Sequence, residues 1–268
     1  LVSAVVFSPQ RAIAASLVLN ETFDDASQFS SSDPSRPTDP NDQFFAARPS
    51  DYLGLIGGTS ADFGGDSIPS GVKPYSGLEG SFLTGQDLDG GDGGSTIEFL
   101  WSGLNISGLS NLTFSGLFAE SVDGSGHIDA ADLLLLEYAI DGGDYQSLLS
   151  FRLDANHTGS NGKPSSTNGI FREDIDGDGR GEGTALGRDA TAFTKPITGT
   201  GSLLDLRFTV SLNSAHEDFA VDNFRVTGEA PPAAGPDPGP DPVSVPEPGT
   251  WLGLGAIAGL FTAQRRRR

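Results

Sequence analysis

Between residues 16 and 228, apolar residues alternate with polar ones or form short runs, and the positions between them are rich in Gly, Asp, Asn and Ser. This pattern is typical of β-strands joined by turns. Many short strands with long Gly/Asp-rich loops predict an all-β fold, either a β-sandwich or a jelly roll. The predicted strands are Leu17–Phe23, Thr96–Trp101, Asn111–Ala119, Leu133–Ile140, Tyr145–Leu153, Leu203–Leu212 and Phe219–Val226.

The run Leu133–Ile140 has a composition that also suits a helix, and the residues after it decide the interpretation. Asp141–Asp144 reads Asp-Gly-Gly-Asp and leads into the next apolar run, which is a hairpin signature. Two other stretches, 27–49 and 156–193, are polar and long for structureless loops in a compact domain. We expect them to be binding loops, partly disordered segments, or both.

Composition narrows the function classes. The chain has no Cys, which excludes disulfides, thiol nucleophiles and cysteine metal sites. Its formal net charge is −20, and such a surface repels nucleic-acid phosphates, so we expect no nucleic-acid partner. The same acidity suits either divalent cations or simple solubility.

The sequence divides into four segments. Residues 1–15 have small residues at Ala12, Ala14 and Ala15, which predicts the remnant of a secretory signal peptide; an ordinary buried strand is the alternative. Residues 16–228 form the predicted β domain. Residues 229–244 are rich in Pro, Ala and Gly and predict an extended linker. Residues 245–268 form the last segment.

This last segment joins a short polar motif to an apolar stretch and a basic end. Pro246, Glu247 and Pro248 precede the apolar run 251–263, and Arg265, Arg266, Arg267 and Arg268 close the chain. The run predicts a single hydrophobic helix of about 20 Å, short of the roughly 30 Å hydrocarbon core unless flanking residues and snorkelling arginines extend it. The arginines predict a stop on the cytoplasmic side of the inner membrane, with the bulk of the chain outside.

The order Pro-Glu-Pro, apolar helix, arginine cluster resembles the tail of PEP-CTERM proteins. The resemblance covers about the last 24 residues. It implies a bacterial protein that is exported, anchored transiently in the inner membrane, and recognised at Pro246–Pro248 by an exosortase, a membrane protease-transpeptidase. The implied destination is the cell envelope or the extracellular matrix, where polysaccharide is a candidate partner.

One loop carries the strongest signal for a cofactor. Asp174, Asp176 and Asp178 alternate with other residues and are followed by Gly and then Glu182, an arrangement that resembles the start of an EF-hand loop. The twelfth position is Ala185, so the usual closing Glu is missing; Asp189 would have to close the site from a different geometry. The sequence predicts calcium here, with an acidic solvated loop as the alternative.

Three other acidic groups give weaker predictions. The loop 87–98 has its first and last acids at the spacing of a calcium loop but has Asp92 where the turn glycine should be, and the loop 123–132 lacks the first acid because Ser121 stands there. In jelly rolls the first and last strands are often neighbours, which predicts a structural calcium where Glu21 or Asp24 meets Asp218 or Asp222. A cluster of turn and capping residues is the alternative there.

No motif points to catalysis. His127, His157 and His216 have no metal-ligand spacing, and no nucleophile elbow, phosphate loop or dinucleotide fingerprint is present. We therefore expect a non-catalytic protein, with a calcium-dependent carbohydrate-binding module as one alternative and a hydrolase with an unrecognised site as another. Trp101 lies in an apolar strand, where a core position is favoured over a sugar-stacking platform.

Overall fold

A computed structural model of the chain provides the fold. It describes residues 15–24, 26–32, 43–45, 52–56, 75–86, 88, 95–120, 127–159, 161–163, 165, 168–214 and 217–231, with backbone alone at 43–45 and 52–56. Contacts divide the chain into Leu1–Pro232 and Ala233–Arg268. The predicted apolar helix and arginine run lie outside the described residues, and within those residues no helix is long and apolar enough to cross a bilayer.

In the described residues the chain forms β-strands and no α-helix. The strands are β1 (Ala15–Glu21), β2 (Ser30–Ser31), β3 (Gln43–Phe45), β4 (Tyr52–Ile56), β5 (Phe82–Gln86), β6 (Thr96–Asn105), β7 (Ser110–Ala119), β8 (Leu133–Ile140), β9 (Gln146–Leu153), β10 (Phe171–Glu173), β11 (Thr191–Pro196), β12 (Leu203–Ser211) and β13 (Asp218–Glu229). Each of the seven predicted strands is present, and the all-β prediction is confirmed. The first strand begins at Ala15 and the last ends at Glu229.

The strands form two antiparallel sheets. One has the order β11-β7-β13-β5-β4-β3, with β1 also paired to β13, and the other has the order β10-β9-β8-β12-β6-β2. β13 is long enough to pair with β5 through Asp218–Val221 and with β1 through its later residues. The first and last strands are therefore neighbours, as expected for a jelly-roll-like sandwich, and the predicted hairpin is the antiparallel pair β8–β9.

The core lies between the two sheets and is dominated by aromatic rings. Alternate residues of the long strands point inwards, and Phe208 of β12 lies 5.6 Å from Phe224 of β13, measured between ring centroids. Trp101 of β6 is 1% exposed and lies 5.6 Å from the same Phe224 ring. Trp101 is thus a core residue, and the sugar-stacking alternative for it is excluded.

The stretch 156–193, predicted to be a binding loop or a partly disordered segment, contains β-structure. β10 lies inside this stretch and pairs with β9, and β11 begins inside it and pairs with β7. Both are edge strands. β10 has only three residues, and β11 buries a single large side chain, Phe193, so neither produces an alternating apolar pattern. Part of the stretch 27–49 is also β-structure, at β2 and β3.

Candidate functional site

The acidic loop 174–182 follows β10 at the edge of one sheet, and backbone hydrogen bonds secure both its ends. The Asp174 N–H donates to the Ser150 carbonyl at 2.9 Å, and the Gly183 N–H donates to the Glu173 carbonyl at 2.8 Å. At Gly181 the returning chain pairs with Asp154. The loop is therefore a short lobe with a fixed base, and its tip faces solvent.

Inside the loop, each carboxylate accepts backbone N–H groups. Asp174 accepts from Gly177 at 2.8 Å and from Gly179 at 3.1 Å, and both glycines have a positive φ that the tight turns require. Glu182 reaches back across the loop and accepts from Ile175 at 2.7 Å. These hydrogen bonds hold the backbone of the loop around its own carboxylates.

The four predicted ligands come together. One carboxylate oxygen from each of Asp174, Asp176, Asp178 and Glu182 lies within 4.8 Å of the others. Oxygens bound to one Ca²⁺ at about 2.4 Å are separated by at most about 4.8 Å, so this donor set fits a hard divalent cation. Asp189 is not a member of this group; its carboxylate accepts the hydroxyl of Ser76.

The predicted site between the first and last strands has a different arrangement. Glu21 is buried, and its two oxygens accept the N–H of Phe23 at 2.8 Å and the indole N–H of Trp101 at 3.0 Å. Asp222 accepts the N–H groups of Glu79 at 3.0 Å and Asn223 at 2.6 Å. Glu21 and Asp222 thus have structural hydrogen-bond partners, and they do not belong to either group of three or more convergent ligands among the described residues.

Asp24 and Asp218, the other acids predicted for that site, also have protein partners. Asp24 accepts the Thr22 hydroxyl at 2.9 Å and the Ser81 N–H at 3.3 Å. Asp218 accepts the Tyr75 hydroxyl at 2.6 Å. The arrangement of these acids matches the alternative of turn and capping contacts as well as it matches a cation site.

A second convergent group was not predicted as a unit. Asp129, Asp132 and Glu217 each place a carboxylate oxygen within 4.8 Å of the others. The two aspartates belong to the weakly predicted loop 123–132, but Glu217 lies far along the chain, directly before β13. No local spacing in the sequence signals this contact, because the sheet topology creates it. Residues 123–126 of that loop lie outside the described residues, as do 87 and 89–94 of the other weakly predicted loop.

Several buried acids have raised pKa values, and burial is the main cause in each case. Burial raises the pKa of Asp132 to about 9, with further contributions from nearby Glu217 and Asp129. Burial also raises the pKa of Asp222 to about 7, and that of Glu120 well above its usual value. All three carboxyls are buried inside the domain.

The sheet that contains β10 also carries, on its outer face, a contact between an aromatic ring and a charged group. The Arg207 guanidinium lies 4.1 Å from the centre of the Tyr145 ring and donates to Glu137 at 2.7 Å. Glu98 lies 3.5 Å from the same guanidinium. Tyr145 is half-buried, whereas every other aromatic residue whose side chain the structure describes is buried.

The C-terminal segment matches a known sorting signal. Residues 244–268 match the PEP-CTERM protein-sorting motif, and this match contains Pro246–Pro248 and the four arginines. The chain carries a PEP-CTERM sorting motif. Such a motif indicates bacterial export to the cell envelope or the extracellular space. It covers only the last 25 residues, so the function of the β domain depends on its own geometry.

The β domain of this PEP-CTERM-tailed chain has distant similarity to solved structures. A Clostridium thermocellum xylanase, Xyn10B, containing CBM22-1 and GH10 modules, matches at 7% identity and a TM-score of 0.38, over 82% of this chain and 30% of that one. The CBM22-1 xylan-binding domain of Paenibacillus barcinonensis Xyn10C matches at 11% identity and a TM-score of 0.38, over 83% and 100%. The K3 cleaved adhesin domain of Lys-gingipain from Porphyromonas gingivalis matches at 14% identity and a TM-score of 0.35, over 79% and 99%.

These similarities are distant in both extent and geometry. The chain spans less than a third of the length of the xylanase it matches, and each of the three TM-scores is below 0.5. The chain has no match among curated proteins.

Proposed function

We propose that this protein is an exported, non-catalytic component of the bacterial cell envelope or extracellular matrix, sorted by an exosortase. The observation that carries this proposal is the match of residues 244–268 to the PEP-CTERM motif. In this proposal the apolar run 251–263 anchors the chain transiently in the inner membrane, with Arg265–Arg268 on the cytoplasmic side. The exosortase then acts near Pro246–Pro248, and the β domain becomes the mature product.

The sorting step is tested in the native host by changing the motif alone. We expect the double variant Pro246→Ala and Glu247→Ala to keep its tail, so that its mass exceeds that of the mature wild-type protein and it stays in the inner-membrane fraction. The matched control is Pro242→Ala, because Pro242 lies just outside the matched residues. An unchanged mass and unchanged fractionation of the double variant would refute exosortase sorting.

For the β domain we propose calcium binding at the loop 174–182. The support is the convergence of four carboxylates on an exposed lobe whose base is held by the sheet. Four acids this close repel one another, and a bound Ca²⁺ would neutralise half of their formal charge while using the oxygens that hard cations prefer. Solvent molecules would complete the coordination, because Ala185 supplies no closing carboxylate.

The loop site is tested by calorimetric titration of the chelator-treated full chain with CaCl₂. We expect the double variant Asp176→Asn and Asp178→Asn to lose one bound Ca²⁺ per chain relative to the wild type. Asp144→Asn is the matched control, since Asp144 is exposed and lies in a turn away from the loop. If the double variant binds as many ions as the wild type, the loop is only an acidic surface.

Binding of an extracellular polysaccharide is a second candidate function. The supporting observation is Tyr145, the half-buried aromatic side chain beside Arg207 and two glutamates on the outer face of a sheet. A partly exposed ring next to charged donors and acceptors suits contact with a sugar ring. We expect Tyr145→Ala to weaken retention on polysaccharide purified from the host, and Gln146→Ala to leave it unchanged. Equal retention of Tyr145→Ala and the wild type would show that the surface around Tyr145 does not bind the polysaccharide.

A further inference from the structure

The group Asp129, Asp132 and Glu217 lies where the two sheets approach each other at one end of the sandwich. Asp129 and Asp132 form the turn that leads into β8, and Glu217 directly precedes β13. β8 and β13 belong to different sheets. The start of β8 also pairs with the end of β12, from which the chain turns towards Glu217. A ligand held by these three side chains would therefore connect the two sheets.

The three side chains are strongly buried for acids. Asp132 is 0% exposed and Glu217 is 2% exposed, and Asp129 is half-buried. Asp132 accepts the Asp129 N–H through Oδ2 at 2.5 Å, and Glu217 accepts two N–H groups of the turn 213–214 through Oε2, both at 2.8 Å. Backbone N–H groups thus hold one oxygen of Asp132 and one oxygen of Glu217, and these hydrogen bonds fix the orientation of both carboxylates.

The remaining oxygen of Asp132 has no donor. Asp132 Oδ1 is buried and accepts no hydrogen bond in the described part of the structure, and the side chains of Asp132 and Glu217 lie within hydrogen-bonding reach of each other. Two ionised carboxylates offer only acceptors to each other, so this contact requires a shared proton or a cation. No ion pair between described residues involves Asp129, Asp132 or Glu217.

We propose that Asp129, Asp132 and Glu217 bind a second, structural Ca²⁺ between the two sheets. One carboxylate oxygen from each of the three residues lies within 4.8 Å of the others, as ligands of a single Ca²⁺ do, and Asp132 Oδ1 has no hydrogen-bond partner that would compete with an ion. Calcium suits this place better than Mg²⁺, which holds several waters and demands octahedral geometry that a buried set of carboxylates does not supply. This site shares no residue with the loop 174–182.

The site is tested in the full chain carrying Asp176→Asn and Asp178→Asn, so that the loop contributes no ion. After chelation, we expect this background to bind one Ca²⁺ per chain on titration and its Tm to rise by about 5 °C in excess calcium. Adding Asp132→Asn should abolish both responses. The Asn side chain keeps an acceptor for the Asp129 N–H and gains a donor for Glu217, so the variant is expected to fold without the ion.

The outcomes separate the possibilities. Glu217→Gln repeats the test from the other strand and replaces Asp132→Asn if that variant does not fold. If the loop-disabled background binds no calcium, Asp132 and Glu217 share a proton and the proposal is overturned. If it binds one ion that survives both Asp132→Asn and Glu217→Gln, the ion lies elsewhere and the proposal is equally overturned. Calcium binding at the loop is measured separately. The single variant Asp132→Asn should bind one ion at the loop, and adding Asp176→Asn and Asp178→Asn should remove that ion.

Discussion

The indole N–H of Trp101 donates to Glu21 at 3.0 Å, and this buried hydrogen bond joins the two sheets. Trp101 belongs to β6 and Glu21 ends β1, which lie in different sheets. Glu21 also accepts the N–H of Phe23, a bulky residue with a φ of 53°. Glu21, which the sequence predicted as a calcium ligand, thus holds both the Trp101 side chain and the strained turn after β1 in place.

We predict that Glu21→Ala destabilises the domain by about 3 kcal/mol or more, because it leaves two buried N–H donors without their acceptor and opens a cavity. Glu21→Gln should cost less, since its amide oxygen can still accept from one of the two donors. The measurement is urea unfolding followed by tryptophan fluorescence in EDTA. Equal stability of Glu21→Ala and the wild type would show that this contact does not hold the sheets together.

The base of the acidic loop depends on a glycine. A Cβ at Gly181 would lie 2.5 Å from the Arg172 carbonyl oxygen and 2.8 Å from the Arg152 carbonyl oxygen, both of which are backbone atoms that cannot move aside cheaply. We predict that Gly181→Ala destabilises the domain by about 1–3 kcal/mol and weakens calcium binding at the loop. The measurement combines thermal unfolding with calcium titration.

Gly187 provides the matched control for this substitution. A Cβ at Gly187 meets no atom within 4 Å, and its φ is not in the left-handed region. Gly187→Ala should therefore leave stability unchanged to within about 0.5 kcal/mol. Similar losses in Gly181→Ala and Gly187→Ala would mean that close backbone approach is not the reason for the effect.

Removal of calcium should expose the loop to protease. Arg180 is exposed at the tip of the loop, and its N–H donates to Asp178 at 2.9 Å. Without an ion, repulsion among the four acids favours opening of the tip, and trypsin then cleaves after Arg180. We predict rapid cleavage there in EDTA and protection in calcium, read by mass spectrometry of the fragments. Asp178→Asn should lose the protection, and equal cleavage of the wild type in both buffers would contradict the prediction.

The sequence predicted the long strands and the acidic loop because each of these features is encoded within one short segment of the chain. Apolar and polar residues alternate along β12, which reveals it as a strand, and the turn directly after β8 identifies that apolar run as one arm of a hairpin. The ligands of the loop 174–182 lie within nine residues, so their spacing is visible without the fold.

The features that the sequence did not predict depend on tertiary contacts between residues that are far apart in the chain. All five residues of β5 are buried, including Thr84 and Gln86, so its sequence does not alternate between apolar and polar types. Glu217 meets Asp132 only because the end of β12 pairs with the start of β8. Trp101 and Glu21 likewise meet across the core, and for that reason the sequence assigned Glu21 to a metal site and could not assign it to the indole.

Glu120 gives the domain a stability that depends on pH. It is 3% exposed and accepts the Phe171 N–H at 2.7 Å, while Asp218 and Asp132 add negative charge nearby. Burial raises the pKa of Glu120 in the folded protein well above its ordinary value, so the folded state binds this proton more tightly than the unfolded state. The stabilisation is fully present below the unfolded-state pKa, near pH 4.5, and is lost as pH rises through the folded-state pKa.

We predict that Glu120→Gln, which cannot ionise but keeps an oxygen for the Phe171 N–H, is more stable than the wild type at pH 8 in EDTA. The advantage should shrink towards pH 4.5, where the wild-type carboxyl is protonated as well. Urea unfolding across this pH range measures the difference, with Asp144→Asn as an exposed control that should follow the wild-type curve. A constant difference between Glu120→Gln and the wild type at every pH would show that Glu120 acts through packing alone, because only an ionisable group makes the gap depend on pH.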